Sequence, residues 1–224
     1  MSILDEIKGG LIVSCQALEN EPLHSSFIMT RMAEAAILGG AAGIRANSIQ
    51  DICEIKKSVK HPVIGIIKVE YPDSHVYITP SMTEVDALVK CGCEIIAMDA
   101  TDRKRPSGEI LAEFFPRVRE KYPDKLFMGD CSTIQEGLNA AEMGFDLIAT
   151  TLCGYNDGRI SPDFEMMSVL ARNCGKPVVA EGNIWTPEQL RQAMDCGIHA
   201  AVVGSAITRP MLITRRFVSA IKGE

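Results

Sequence analysis

The chain has 224 residues, and Lys plus Arg at 23 against Asp plus Glu at 29 leaves a formal charge of −6. That balance argues against a nucleic-acid or anionic-membrane surface, while leaving room for a local basic pocket. One core suffices at this length, burying roughly 70–75% of the unfolded surface, and no run approaches the roughly 20 apolar residues of a membrane span.

The eight cysteines include Cys15, Cys53, Cys91 and Cys196 inside apolar patterns, with no CxxC pair, and His24, His61, His75 and His199 are scattered. Reduced thiols in a cytoplasmic protein are expected, with no zinc site. The N-terminus has no long apolar run behind a basic flank, so neither a signal peptide nor an anchor is expected.

Short apolar runs alternate with amphipathic segments along the chain. In order, the spacing predicts strand Leu11–Cys15, helix Phe27–Leu38, strand Gly43–Ala46, helix Ser48–Val59, strand Val63–Lys68 and helix Thr83–Lys90. Next come strand Ile95–Ala100, helix Ser107–Lys121, strand Leu126–Cys131, helix Thr133–Met143, strand Leu147–Leu152 and helix Pro162–Asn173. Strand Pro177–Gly182, helix Pro187–Asp195, strand Ala200–Ser205 and helix Met211–Ile221 complete the chain. The strands are apolar on both faces, as strands covered on each side should be.

Ser132-Thr133 before Glu136, Ser161 before Pro162 and Thr186 before Pro187 read as helix starts. Gly39-Gly40, Gly92, Gly144, Gly175 and Gly197 read as helix ends. Eight such units, spaced about 27 residues apart, fit an α/β fold of the (β/α)8 TIM-barrel type in a single domain, 1–224. A doubly wound sheet is the rival, but Gln16-Ala17-Leu18 after the first strand is no dinucleotide loop.

In such barrels chemistry sits where strands stop. The last two strands end in Glu181-Gly182-Asn183 and Gly204-Ser205-Ala206, a glycine-marked pair suited to holding a phosphate on backbone N–H groups. Gly182, Asn183, Gly204 and Ser205 are therefore the expected phosphate-binding residues. The other polar strand ends are Gln16, Arg45, Lys68, Asp99 with Asp102, Asp130, Thr150 with Thr151, Glu181 and Arg209.

Lys68 is either a lysine snorkelling out of the barrel mouth or a base or Schiff-base amine. Either chemical role needs its pKa to fall from about 10.4 toward 7–8, roughly 4 kcal/mol, and Arg45 nearby would help by repulsion. Glu181 is either a structural partner of Arg209 or a general acid/base raised by burial. Asp130 is either a site residue or an internal partner of Lys68 or Arg45. Arg45 and Arg209 are cationic candidates, Arg209 for phosphate oxygens, with solvated surface arginine as the plain alternative for each. Third and seventh strands stand opposite each other in an eight-stranded barrel, so Lys68 and Glu181 would flank a bound molecule. His75 is expected in solvent, and Cys131 and Cys153 are expected as packing thiols.

Taken in order, Gly10 through Ala17, Gly43-Ile44-Arg45-Ala46, Gly65 through Lys68, Asp73 through Pro80, Asp99-Ala100-Thr101, Asp130 through Thr133, Ala149 through Leu152 with Gly154-Tyr155, Ala180-Glu181-Gly182 and Gly204 through Pro210 resemble the N-acetylmannosamine-6-phosphate 2-epimerase family over nearly the whole chain. The resemblance implies a metal-free, cofactor-free barrel that interconverts N-acetylmannosamine 6-phosphate and N-acetylglucosamine 6-phosphate in amino-sugar or sialic acid breakdown. It implies Lys68 and Glu181 as catalytic residues, and Gln16, Arg45, Asp130 and Arg209 as contacts to the sugar phosphate. Asn183 stands where a basic residue would be unsurprising, which shifts phosphate neutralisation toward backbone amides and Arg209.

Two rivals stay open: a Schiff-base aldolase or lyase using Lys68 as nucleophile, and a sugar-phosphate sensor in which Lys68 and Glu181 are merely paired. The expected partner is a small sugar phosphate, with no nucleic acid and no membrane. The last helix either seals the barrel or makes a homodimer contact.

Overall fold

The computed structural model describes residues 2–154 and 158–223; Tyr155, part of the resemblance above, lies outside the described residues. Eight parallel strands close on themselves in sequence order: β1 Leu11–Cys15, β2 Gly43–Asn47, β3 Val63–Ile66, β4 Ile95–Asp99, β5 Leu126–Asp130, β6 Leu147–Ala149, β7 Val178–Ala180 and β8 Ala200–Val203. The closing pair is β1 with β8, in the register Ile12↔Val202. The helices are α1 Ile3–Ile7, α2 Ser26–Leu38, α3 Ile49–Ser58, α4 Met82–Cys91, α5 Leu111–Lys121, α6 Ile134–Glu142, α7 Phe164–Asn173, α8 Pro187–Asp195, α9 Ser205–Thr208 and α10 Pro210–Lys222.

The alternation of a strand splits its side chains between two apolar cores. Ile12, Ile64, Ile66, Ala97, Met128, Leu147, Val179 and Val202 form the cluster that fills the barrel. Val13, Ile44, Val63, Ile96, Phe127, Ile148, Val178 and Ala201 belong to the other, which packs under the helices. Continued past the strand ends, the same two-residue step carries Ile66 to Lys68, Met128 to Asp130, Ala149 to Thr151, Val179 to Glu181 and Ile12 to Ser14 and Gln16. The sequence that fills the barrel thus also aims polar groups at its C-terminal mouth.

The other mouth is plugged by α1, which sequence periodicity did not reveal. Ile7 is fully buried in the barrel cluster with Ile3 and Leu4 against it, and Ser2 and Asp5 form a capping box. Most strands stop one to three residues earlier than their apolar runs suggest, because the chain turns into the loop while its side chains still pack. The expected start at Ser161-Pro162 is corrected: α7 begins at Phe164, with Asp163 as cap accepting from the Met166 N–H. Helix α5 begins at Leu111 rather than Ser107, since Ser107–Glu109 is held in a turn by the Ser107 hydroxyl. Helix α10 does not seal the barrel: it has no buried residue and leaves Phe217, Val218 and Ile221 exposed. Among the described residues no helix is long and apolar enough to cross a membrane.

Candidate active site

A cavity of about 200 Å³ opens at the C-terminal mouth, and its wall includes Gln16, Lys68, Thr151, Glu181, Gly204 and Arg209. Lys68 and Glu181 share this one cavity, reached from β3 and β7, which stand four strands apart in the closed ring.

Lys68 is fixed through its backbone. Its N–H donates to Asn47 Oδ1 at 2.8 Å, and it forms an antiparallel bridge with Ile78 in the loop that returns to α4. Thr79, whose φ of 47° is unusual for a β-branched residue, is held by its hydroxyl on the Ala97 carbonyl at 2.7 Å. The buried Arg105 clamps the same loop by donating to the carbonyls of Thr79, Pro80 and Asp99. Burial, and next the neighbouring Arg45 charge, pull the Lys68 amine down to about 8. The repulsion expected between Arg45 and Lys68 is present, but it ranks behind desolvation.

Glu181 is held at both ends. The Thr150 hydroxyl donates to its carbonyl at 2.8 Å and accepts from its N–H at 3.1 Å. Its carboxylate receives Arg45 Nη1 at 2.7 Å. Burial raises the Glu181 carboxyl above its ordinary value; Arg45 opposes that shift and the charge of Asp130 adds to it. The alternative of a Glu181–Arg209 bridge is overturned, because Arg209 pairs instead with Glu21 at 2.8 Å. Sequence reading missed Glu21, which lies in the loop after β1 and carries no motif of its own.

Of the two partners open to Asp130, the structure selects Arg45: Nη1–Oδ1 is 3.1 Å and Nη2–Oδ2 is 2.6 Å. Burial works against the Arg45 charge, yet the two carboxylates more than offset it and hold the guanidinium charged. Both side chains are almost wholly buried, at 1% and 0% exposed. They lie behind Glu181 and Thr151 rather than on the cavity wall.

Gln16 stands on the wall. Its amide donates to Ser14 Oγ at 2.7 Å, and its carbonyl oxygen has no partner among the described residues.

Gly182, Asn183, Gly204 and Ser205 line one end of the cavity. Gly182 has φ of 111°, which disfavours a side chain, and a Cβ on Gly204 would sit 3.1 Å from Ser14 Cβ. Asn183 spends its side-chain amide on the Arg159 carbonyl at 2.9 Å. Trp185, also on the wall, lies under the Arg216 guanidinium at 4.3 Å and was not foreseen.

Asp99 and Asp102 are not part of the site. Asp99 accepts from the Thr101 N–H and hydroxyl, and the Asp102 N–H is taken by Glu136. His75 is exposed, and Cys131 and Cys153 are buried packing thiols as expected. Among the described residues no group of three or more His, Cys, Asp or Glu side chains gathers as a metal cluster.

Comparison with known proteins places the chain in a family. A family model described as "Putative N-acetylmannosamine-6-phosphate epimerase" matches residues 29–223. A relative from Caldanaerobacter subterraneus subsp. tengcongensis, named as a 2-epimerase of the same kind, is 53% identical over 99% of this chain and 95% of its own length. One from Clostridium perfringens is 54% identical over 98% of this chain and all of its own. The solved N-acetylmannosamine-6-phosphate 2-epimerase of Clostridium perfringens superposes with a TM-score of 0.94 at 52% identity, covering 98% of this chain and 96% of that one. A thiamine phosphate pyrophosphorylase from Pyrococcus furiosus, at 15% identity and a TM-score of 0.62, shares the fold alone. The chain belongs to the N-acetylmannosamine-6-phosphate 2-epimerase family.

Proposed function

We propose that the chain interconverts N-acetylmannosamine 6-phosphate and N-acetylglucosamine 6-phosphate by removing and returning a proton at C2. The observation that carries this reading is the shared cavity of Lys68 and Glu181 on opposite sides of the barrel mouth. Inversion takes a proton from one face of the carbon and returns one to the other, and two titratable groups facing each other across the cavity suit both steps. Family membership supplies the substrate class.

In this reading the phosphate rests against the backbone of Gly182, Asn183, Gly204 and Ser205, with Arg209 as the neutralising cation. The open-chain sugar then extends toward Lys68. The C1 aldehyde acidifies the C2 hydrogen, Lys68 abstracts it, and Glu181 delivers a proton to the other face. For the reverse reaction the roles exchange. Gln16, on the wall, is the donor for the enolate oxygen, worth about 3–4 kcal/mol if well aimed. Arg45 and Asp130 hold Glu181 from behind and set its charge.

A cytoplasmic location fits eight cysteines that form no disulfide. A homodimer fits the exposed apolar side chains of α10, which would gain from a cover.

Proton NMR of the anomeric signals tests the reading. Purified protein should carry N-acetylmannosamine 6-phosphate and N-acetylglucosamine 6-phosphate, started separately, to one common ratio. Unchanged spectra from both starting sugars would refute it.

A further inference from the structure

Thr151 Oγ1 lies 2.6 Å from Asp130 Oδ1 and 3.2 Å from Glu181 Oε2. Arg45 Nη1 reaches the same two carboxylate oxygens at 3.1 and 2.7 Å, and Thr151 Oγ1 at 3.4 Å. A threonine hydroxyl has one proton to give and lone pairs to receive, whereas an ionised carboxylate only receives. The short contact marks Asp130 as the acceptor of the hydroxyl proton. With the hydroxyl proton given to Asp130, the contact to Glu181 is a full hydrogen bond when Glu181 carries a proton and donates it.

A second arrangement has the same hydrogen bonds reversed, with Asp130 protonated and Thr151 donating to Glu181. Passing between them, the Glu181 Oε2–H bond breaks as a Thr151 Oγ1–H bond forms. The original Thr151 Oγ1–H bond breaks as Asp130 Oδ1–H forms. Thr151 is neutral before and after, and the charge of the cluster is unchanged. Arg45 touches both carboxylates in either state, so neither is left as an unpaired buried charge.

We propose that Thr151 is a positioning residue of the epimerisation, carrying a proton line that lets the sealed Asp130 load and unload Glu181. The inference rests on the epimerase reading above. Asp130 is wholly buried and Arg45 nearly so, which gives the line a closed far end. The raised carboxyl of Glu181 agrees with a group that holds a proton part of the time. The charged groups facing Glu181 are Arg45 from β2, Lys68 beyond β3 and Asp130 from β5.

The test compares wild type, Thr151→Val and Thr151→Ser in kcat and KM for N-acetylmannosamine 6-phosphate across pH, with thermal melts alongside. Thr151→Val keeps the shape and loses the hydroxyl. It should lower kcat about 10–100-fold, leave KM within about threefold, and move the acid limb of the pH profile downward with the alkaline limb in place, because protonated Glu181 loses its acceptor. Thr151→Ser should restore both kcat and the acid limb. Should the valine variant not fold, Thr151→Ala carries the same comparison against serine. A valine or alanine variant with wild-type kcat and acid limb overturns the proposal. So does a serine variant as impaired as valine, since that assigns the effect to packing of the methyl group. Absence of epimerisation by the wild type would instead overturn the epimerase reading together with the inference that rests on it.

Discussion

Arg45 and Asp130 meet inside the barrel through two parallel hydrogen bonds, Nη1–Oδ1 at 3.1 Å and Nη2–Oδ2 at 2.6 Å. The fork geometry of guanidinium and carboxylate makes this the firmest charged contact of the site. It also balances one of the two carboxylates that crowd the Arg45 guanidinium.

Removing Asp130 leaves the buried Arg45 with Glu181 as its one remaining ion-pair partner among the described residues. Loss of one member of a buried pair typically costs about 3–5 kcal/mol. Asp130→Ala should therefore destabilise the fold by that amount in denaturant titration. A loss below about 1 kcal/mol would mean water reaches Arg45 and screens it.

Lys68 predicts an opposite effect on stability. Its folded pKa is about 8, against about 10.4 in the unfolded chain. Between those values the unfolded chain binds more protons, so stability rises with pH across the window, and below 8 the native state bears the full penalty. The ceiling is about 3 kcal/mol, lowered because the side chain reaches the water of the cavity. Lys68→Met should thus raise stability at pH 7 by roughly 1–3 kcal/mol, with the gap closing toward pH 10.4. The same variant should lose turnover by about 10²–10⁴-fold and still bind a phosphorylated sugar. Calorimetric melts at neutral and alkaline pH read the first effect; a melting difference that does not shrink with pH would contradict it.

One proton shared between Lys68 and Glu181 gives kcat/KM a bell shape. At low pH both groups are protonated and no base remains. Above about 8 the pair loses its last proton and no acid remains, so the rate should fall with an alkaline limb near 8. The acid limb should lie above the ordinary carboxylate range, because burial raises Glu181. Initial rates across pH check this, and a profile still rising past pH 9 would contradict the pairing, since that is about one unit beyond the expected limb.

Arg209 reaches the cavity with its side chain 30% exposed and steadied by Glu21. A charge-assisted contact to phosphate is worth about 1.5–3 kcal/mol, so Arg209→Ala should raise KM for the phosphorylated sugar about 10–100-fold. Weak binding of the unphosphorylated sugar should change little. Glu21→Gln should give a smaller rise, since it loosens Arg209 without removing it. Equal losses for both sugars would place Arg209 elsewhere on the substrate.

The barrel was legible because short apolar runs, most of them rich in Val and Ile, alternate with amphipathic segments eight times, and many of the helices are marked by a capping residue or a closing glycine. The polar strand ends were legible for the same reason, since alternation in Ile64-Gly65-Ile66-Ile67-Lys68 aims the last residue inward. Pairing across the ring was not legible. Whether Glu181 meets Arg45 or Arg209 depends on barrel closure and on Glu21, a loop residue that claims Arg209 first. Helix α1 escaped notice because five residues span too little for periodicity, and its capping box at Ser2 and Asp5 was its best signal. Helix α10 shows an amphipathic pattern that reads alike whether it covers its own barrel or faces outward. Thr150 and Thr151 stood among the strand-end residues, but their hydrogen bonds to Glu181 exist only once β6 and β7 lie side by side.

The most direct measurement of the central claim is epimerisation in D₂O, followed by proton NMR of C2. Exchangeable protons on Lys68 and Glu181 predict that product formed in D₂O carries deuterium at C2. Product that keeps its original hydrogen there after full conversion would contradict proton transfer between these two side chains.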